Sequence, residues 1–182
     1  QYQVGEVAGL NKKLAYGKGV SILFYGAPGT GKTMCAQVLA KELGMELYRV
    51  DLSQMVSKYI GETEKNLARV FDEARKGNTI LFFDEADSLF SRRTDVTDVK
   101  DKYSNTEVSF LLQKMEEYSG ITILATNLLQ NFDPAILRRL TYSIRFEQPN
   151  EQTRLELWNK ILPPTVQFSE SLDIGHFAER FE

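Results

Sequence analysis

Apolar residues along the chain follow two alternating rhythms. Five short runs rich in β-branched and aromatic residues, Ile22 to Tyr25, Leu47 to Val50, Thr79 to Phe83, Ile121 to Ala125 and Ser143 to Phe146, are mostly separated by segments with helical spacing. That alternation predicts an α/β domain with a largely parallel sheet. Thr79 to Phe83 and Ile121 to Ala125 are nearly continuous apolar runs, as expected of central strands covered on both faces. The clearest helical stretch places Leu67, Val70, Phe71 and Ala74 at i, i+3, i+4 and i+7, with Glu64, Lys65, Arg69 and Asp72 directed away from that face. Between Ser91 and Ser104 the text turns dense in charge and threonine and predicts a long exposed loop. After Pro149 another helix is expected, with Leu155, Trp158, Ile161 and Leu162 on one side and Pro163-Pro164 ending it. Too few residues remain to build a second core. The expected organisation is therefore an α/β domain over residues 1–150 and the beginning of an incomplete C-terminal piece over residues 151–182.

Composition adds bounds to this picture. With 182 residues, 42% hydrophobic and 26% charged, the chain can bury one sizeable core. A net charge of -3 supplies no global attraction toward nucleic acid or an anionic membrane. No apolar run reaches the roughly 18 residues that a membrane span needs, and the N-terminus lacks a signal-peptide pattern. These features predict a soluble, cytoplasmic chain with no membrane segment. The single Cys35 has no internal disulfide partner and sits at an apolar helix position, where a small core residue is expected.

Chemistry enters immediately after the first strand. Gly26-Ala27-Pro28-Gly29-Thr30-Gly31-Lys32-Thr33 fits G-x-x-x-x-G-K-[ST] and runs directly into a helical segment that opens with Met34. In this pattern glycines let backbone N–H groups wrap a phosphate at a helix N-terminus, the lysine reaches the β- and γ-phosphates, and the hydroxyl holds Mg²⁺. The third strand ends in Asp84-Glu85-Ala86-Asp87. Asp84 is the candidate metal-side carboxylate beside Thr33, and Glu85 the candidate general base facing a water in line with the γ-phosphate. A glutamate in that position favours hydrolysis over transfer to an acceptor. Asn127, after the other central strand, is a candidate for orienting the water or touching the γ-phosphate; a plain strand-end turn residue is the alternative.

Together these motifs resemble the AAA+ ATPases, in their AAA subfamily of protein-remodelling machines, from about Val20 to Pro149. Gly26 to Thr33 is similar to Walker A, Leu81 to Asp87 to Walker B, Asn127 to sensor 1, and Asp133-Pro-Ala-Ile-Leu-Arg138-Arg139 to the start of the second region of homology. The resemblance implies a P-loop NTPase three-layer sandwich with a parallel five-stranded sheet in the order 5-1-4-3-2. It further implies a helical lid, truncated here, and ATP with Mg²⁺ bound at the subunit interfaces of a homo-oligomeric ring, usually a hexamer. Arg138 and Arg139 match the adjacent arginines of the katanin-like branch, which act on a neighbouring subunit's γ-phosphate; Arg145 is an outside candidate because the usual P-G-R-F-D-R text is missing. Gly61-Glu62-Thr63-Glu64 matches the family's G-E-[ST]-E, so Lys58-Tyr59-Ile60 ahead of it resembles the pore-loop trio that grips a polypeptide. Residues 92–102 resemble a second pore loop. Two departures stand out: Ala27 replaces a frequent proline, and Gln1 to Gly19 lacks recognisable adenine-seating text. The expected function is ATP hydrolysis coupled to unfolding, disassembly or translocation of a protein. The alternatives are a nucleotide-gated assembly module with slow hydrolysis and a DNA-handling ATPase.

Overall fold

The computed structural model describes residues 19–55, 61–90 and 100–161, the side chains of 100–105 and 161 excepted, together with the isolated positions Gly175 and Glu179. In chain order the elements are β1 (Val20–Gly26), α1 (Lys32–Leu43), β2 (Glu46–Asp51), α2 (Leu52–Met55), α3 (Glu62–Ala74), β3 (Thr79–Asp84), α4 (Asp87–Phe90), α5 (Lys100–Glu117), β4 (Ile121–Thr126), a 3₁₀ turn (Leu129–Asn131), α6 (Pro134–Leu137), β5 (Tyr142–Phe146) and α7 (Glu151–Ile161). The five strands pair in parallel in the order β2-β3-β4-β1-β5, which is the expected 5-1-4-3-2 counted from the other edge.

Period-two alternation along the strands divides the core into two layers. On β3, Ile80 and Phe82 join Ala36 and Ala40 of α1 on one face of the sheet. Leu81 and Phe83 point to the other face, against Leu67 and Phe71 of α3 and Leu111 and Met115 of α5. All six residues of β4 are buried, as are Thr79 to Phe83 of β3, so the two continuous apolar runs are inner strands. Phe71 closes the second layer between Phe83 and Tyr118, with ring centroids 5.6 and 5.8 Å away. The Tyr118 hydroxyl donates to the Thr79 carbonyl at 2.8 Å, which gives this buried ring a partner for its polar end.

Three expectations need correction. Cys35 is exposed, because the inward positions of α1 are taken by Lys32, Ala36 and Ala40 at i, i+4 and i+8. The loop expected from Ser91 to Ser104 is shorter at its C-terminal end, since α5 already begins at Lys100. Its apolar anchors Val108, Leu111, Leu112 and Met115 lie downstream, and helix propagates from them into charged residues that carry no periodicity of their own. Glu64 is not fully on the wet side of α3: its Oε2 is buried and has no hydrogen-bond partner among the described residues.

The chain divides into two compact units between Phe146 and Glu147. In the second, α7 is capped by Asn150, whose Oδ1 accepts from the Thr153 N–H and hydroxyl at 2.9 Å each. Leu155 and Trp158 are half-buried, whereas Leu162 and the two prolines lie outside the described residues.

Phe71→Ala is expected to lower the unfolding free energy by about 3–5 kcal/mol, the range for deleting a buried aromatic ring. Val38→Ala, at a position that is 54% exposed, should stay within about 0.5 kcal/mol of wild type. Urea denaturation of both variants checks the two layers; equal midpoints would remove the central role given to Phe71.

Candidate nucleotide site

Because β1, β3 and β4 are parallel, their C-terminal ends deliver Gly26, Asp84 and Asn127 to one edge of the sheet. That edge is where an open α/β sheet offers a binding crevice. At the end of β1 the chain approaches β5 so closely that a Cβ added at Gly26 would lie 2.0 Å from the Phe146 carbonyl oxygen. The loop that follows is closed by the Thr30 hydroxyl, which donates to the Ala27 carbonyl at 2.8 Å. Gly31 then turns the chain into α1 at φ 91°, a left-handed conformation suited to glycine. No side chain caps α1 and its first turn carries no acidic residue. Its leading N–H groups therefore retain the positive end of the helix dipole for an anion.

Lys32 is only 8% exposed, and its ammonium donates at 2.8 Å to each of three oxygens: the Gly26 carbonyl, the Ala27 carbonyl and Asn127 Oδ1. Burial pushes the lysine below its ordinary range, opposed by the charges of Asp84 and Asp87. Thr33, next along the helix, is half-buried, and Met34 is 59% exposed.

The acidic end of β3 is tied down on every side. Asp84 Oδ1 accepts the Glu85 N–H at 3.0 Å, and Oδ2 accepts from Arg49 on neighbouring β2 at 2.7 Å. Glu85 itself is exposed and sits at φ 52°, the one left-handed non-glycine among the described residues. Such a conformation costs on the order of 1–3 kcal/mol and persists only where its surroundings impose it. Here the Ala86 N–H donates to the Ala125 carbonyl of β4 at 2.9 Å, and the Ser88 N–H to the Glu85 carbonyl at 3.0 Å. Asp87 completes the clamp by accepting from the Thr126 hydroxyl at 2.9 Å and the Asn127 N–H at 3.3 Å. Neither Asp87, as a brace between two strand ends, nor Arg49 was among the residues singled out from the sequence. The carboxylate one helical turn after Asp84 was the available signal for the first. Arg49 carried none, since its pairing depends on strand register.

The arginine pair lies beyond α6, a helix of four residues opened by Asp133, whose Oδ1 accepts the Ala135 N–H at 2.8 Å, and by Pro134. Its two members diverge. Arg139 Nε donates to Glu116 of α5 at 2.8 Å, whereas the exposed Arg138 side chain makes no hydrogen bond or ion pair among the described residues. Arg145 is exposed on the edge strand β5. Lys58, Tyr59 and Ile60 lie outside the described residues, as do positions 92–99 of the second expected pore loop.

Among the described residues no helix is long and apolar enough to cross a membrane. Residues 22–148 match the family model described as "ATPase family associated with various cellular activities (AAA)". Similar proteins include an uncharacterized AAA family ATPase, y4kL, of Sinorhizobium fredii, 40% identical over 70% of this chain and 39% of its own length. A 26S proteasome regulatory subunit 8 homolog of Encephalitozoon cuniculi is 36% identical over 93% of this chain and 44% of its own. The peroxisomal ATPase PEX1 of Cricetulus griseus is 38% identical over 86% of this chain and 12% of its own. The chain thus spans less than half the length of these relatives. With the family match covering most of the sheet and both of its acidic and glycine-rich strand ends, the chain belongs to the AAA family of ATPases and carries its nucleotide-binding ATPase domain.

Proposed function

We propose that this domain hydrolyses ATP with Mg²⁺ and couples each cycle to unfolding, disassembling or translocating a polypeptide held in a ring of identical subunits. The observation that carries the chemical part is the convergence of Lys32, Asp84 and Asn127 on one sheet edge with Glu85 held in a strained conformation beside them. Residues 26–33 would cradle the triphosphate, with the first turn of α1 and the Lys32 ammonium meeting its negative charge. To do so Lys32 exchanges one or more of its present oxygen partners for phosphate oxygens. Since one of those partners is Asn127, arrival of the γ-phosphate is felt directly at the end of β4.

The donor set suits magnesium. Thr33 and Asp84 offer two hard oxygens, and the described residues contain no cluster of three or more His, Cys, Asp or Glu that would form an all-protein cage. Thr33 and Asp84 would hold the ion through these oxygens, and when bound it would supply neutralisation of negative charge on the phosphates. Glu85 would accept a proton from the attacking water, and Asn127 would orient that water. Arg138 is the better finger for a neighbouring subunit's γ-phosphate, because its guanidinium is uncommitted while Arg139 is engaged by Glu116.

Support for work on a polypeptide comes from the relatives named for the proteasome and for the peroxisome, and from the Lys58-Tyr59-Ile60 text before the G-E-T-E sequence. An aromatic face grips many sequences without a defined partner. The segment from residue 151, which opens with α7, is read as part of a helical lid.

Glu85→Gln is expected to keep ATP binding but reduce steady-state turnover by about 10²–10⁴-fold; retained hydrolysis would sink the role of Glu85. Arg138→Ala should cost about 10³-fold in turnover and Arg139→Ala much less. Mixed rings of Arg138→Ala and Glu85→Gln subunits should regain part of the activity, and no recovery in assembled mixtures would count against a shared site. Tyr59→Ala should leave basal hydrolysis largely intact while abolishing processing of a protein substrate; unchanged processing would exclude the grip.

A further inference from the structure

The site described above leaves Arg49 without a role. It stands on the edge strand β2, opposite Phe82 in register, and Phe82 belongs to the α1 face of the sheet. Asp84, two residues beyond Phe82, faces the same way, so strand geometry alone brings the guanidinium to the carboxylate. The contact is short, 2.7 Å to Oδ2, with the arginine side chain 59% exposed and the aspartate 16% exposed. The other oxygen, Oδ1, is already held by the Glu85 N–H. Both oxygens of the carboxylate proposed for the metal therefore have protein partners, and one of those partners is a cation.

We infer that Arg49 is a displaceable counter-cation on Asp84, which competes with Mg²⁺ and thereby sets how much magnesium the domain needs to bind nucleotide in its metal-loaded form. The inference rests on the reading of Asp84 as the metal-side carboxylate. A divalent cation at Oδ2 and a guanidinium 2.7 Å from the same oxygen repel one another, so approach of the cation weakens or displaces the ion pair. The long, mostly solvated arginine side chain has somewhere to go. Oδ1 need not move, because its bond to the Glu85 N–H lies on the backbone. In the absence of metal, Arg49 also screens Asp84 from incoming phosphates, a task for which Lys32 alone would otherwise have to serve; Lys32 already lies in the field of Asp84 and Asp87. Removing Arg49 then has two opposite effects. Metal-free nucleotide should bind more weakly because Asp84 repels it, and metal should bind more readily because its competitor is gone. Solvent screening of an exposed pair limits each effect to about two- to tenfold.

The test follows binding of a fluorescent ATP analogue to the assembled protein in a Glu85→Gln background, so that no hydrolysis intervenes, first in EDTA and then through a Mg²⁺ titration. Arg49→Gln is expected to lower the half-maximal Mg²⁺ concentration about two- to tenfold and to weaken binding in EDTA, and Arg49→Lys to return both toward wild type. A merely structural role for the ion pair would shift neither in this opposed manner. An unchanged or higher Mg²⁺ requirement in Arg49→Gln would overturn the competition. Asp84→Asn in the same titration separates the two readings: if it leaves the Mg²⁺ requirement where it was, Asp84 is not the metal-side group, and the inference falls with that assignment.

Discussion

The ammonium of Lys32 is a charge taken almost wholly out of water, and such a charge must be surrounded by acceptors or it will not stay. Its three oxygens belong to different pieces of chain: two to the loop after β1 and one to the residue after β4. The lysine therefore draws the glycine-rich loop against the end of a strand that is ninety-five positions away in sequence. The acidic end of β3 completes the arrangement through Asp87, which braces Thr126 and Asn127 from the opposite side. Three strand ends are thus tied together by hydrogen bonds between their own polar groups, which fixes the backbone frame from which Lys32, Asp84 and Asn127 project.

Preorganisation of this kind explains why the backbone at Glu85 tolerates a left-handed conformation. Its N–H, its carbonyl and the next N–H are all spoken for. Strain confined to one residue by three hydrogen bonds costs little relative to two apolar layers that fix β3 and β4 from both faces. The backbone from which the Glu85 side chain projects is thus set by the sheet rather than by the flexibility of a loop.

Much of this was legible in the text of the chain. Continuous apolar runs marked the inner strands because burial on both faces leaves no place for alternation, and the glycine-rich and acidic stretches were placed by the strand ends they follow. Other features escaped because they depend on which residue stands opposite which. Arg49 meets Asp84 only through β2–β3 register, and Arg138 and Arg139 differ only because Glu116 lies beside one of them. Cys35 lies outside because α1 faces the sheet with small residues spaced by four, a choice that apolar character alone does not reveal. The early start of α5 escaped because charged residues joined to a well-anchored helix follow it regardless of their own pattern.

Gly26 and Gly29 look interchangeable as members of one glycine-rich loop, yet they answer to different neighbours. A methyl group at Gly26 would collide with the Phe146 carbonyl, whereas one at Gly29 would meet nothing within 4 Å and would oppose only the left-handed turn at φ 78°. A substitution at the first position therefore disturbs the junction of β1 with the edge strand before any phosphate arrives. Lost nucleotide binding in such a variant would be a symptom of a damaged sheet, and only a change at Gly29 interrogates the loop as a receptor in its own right.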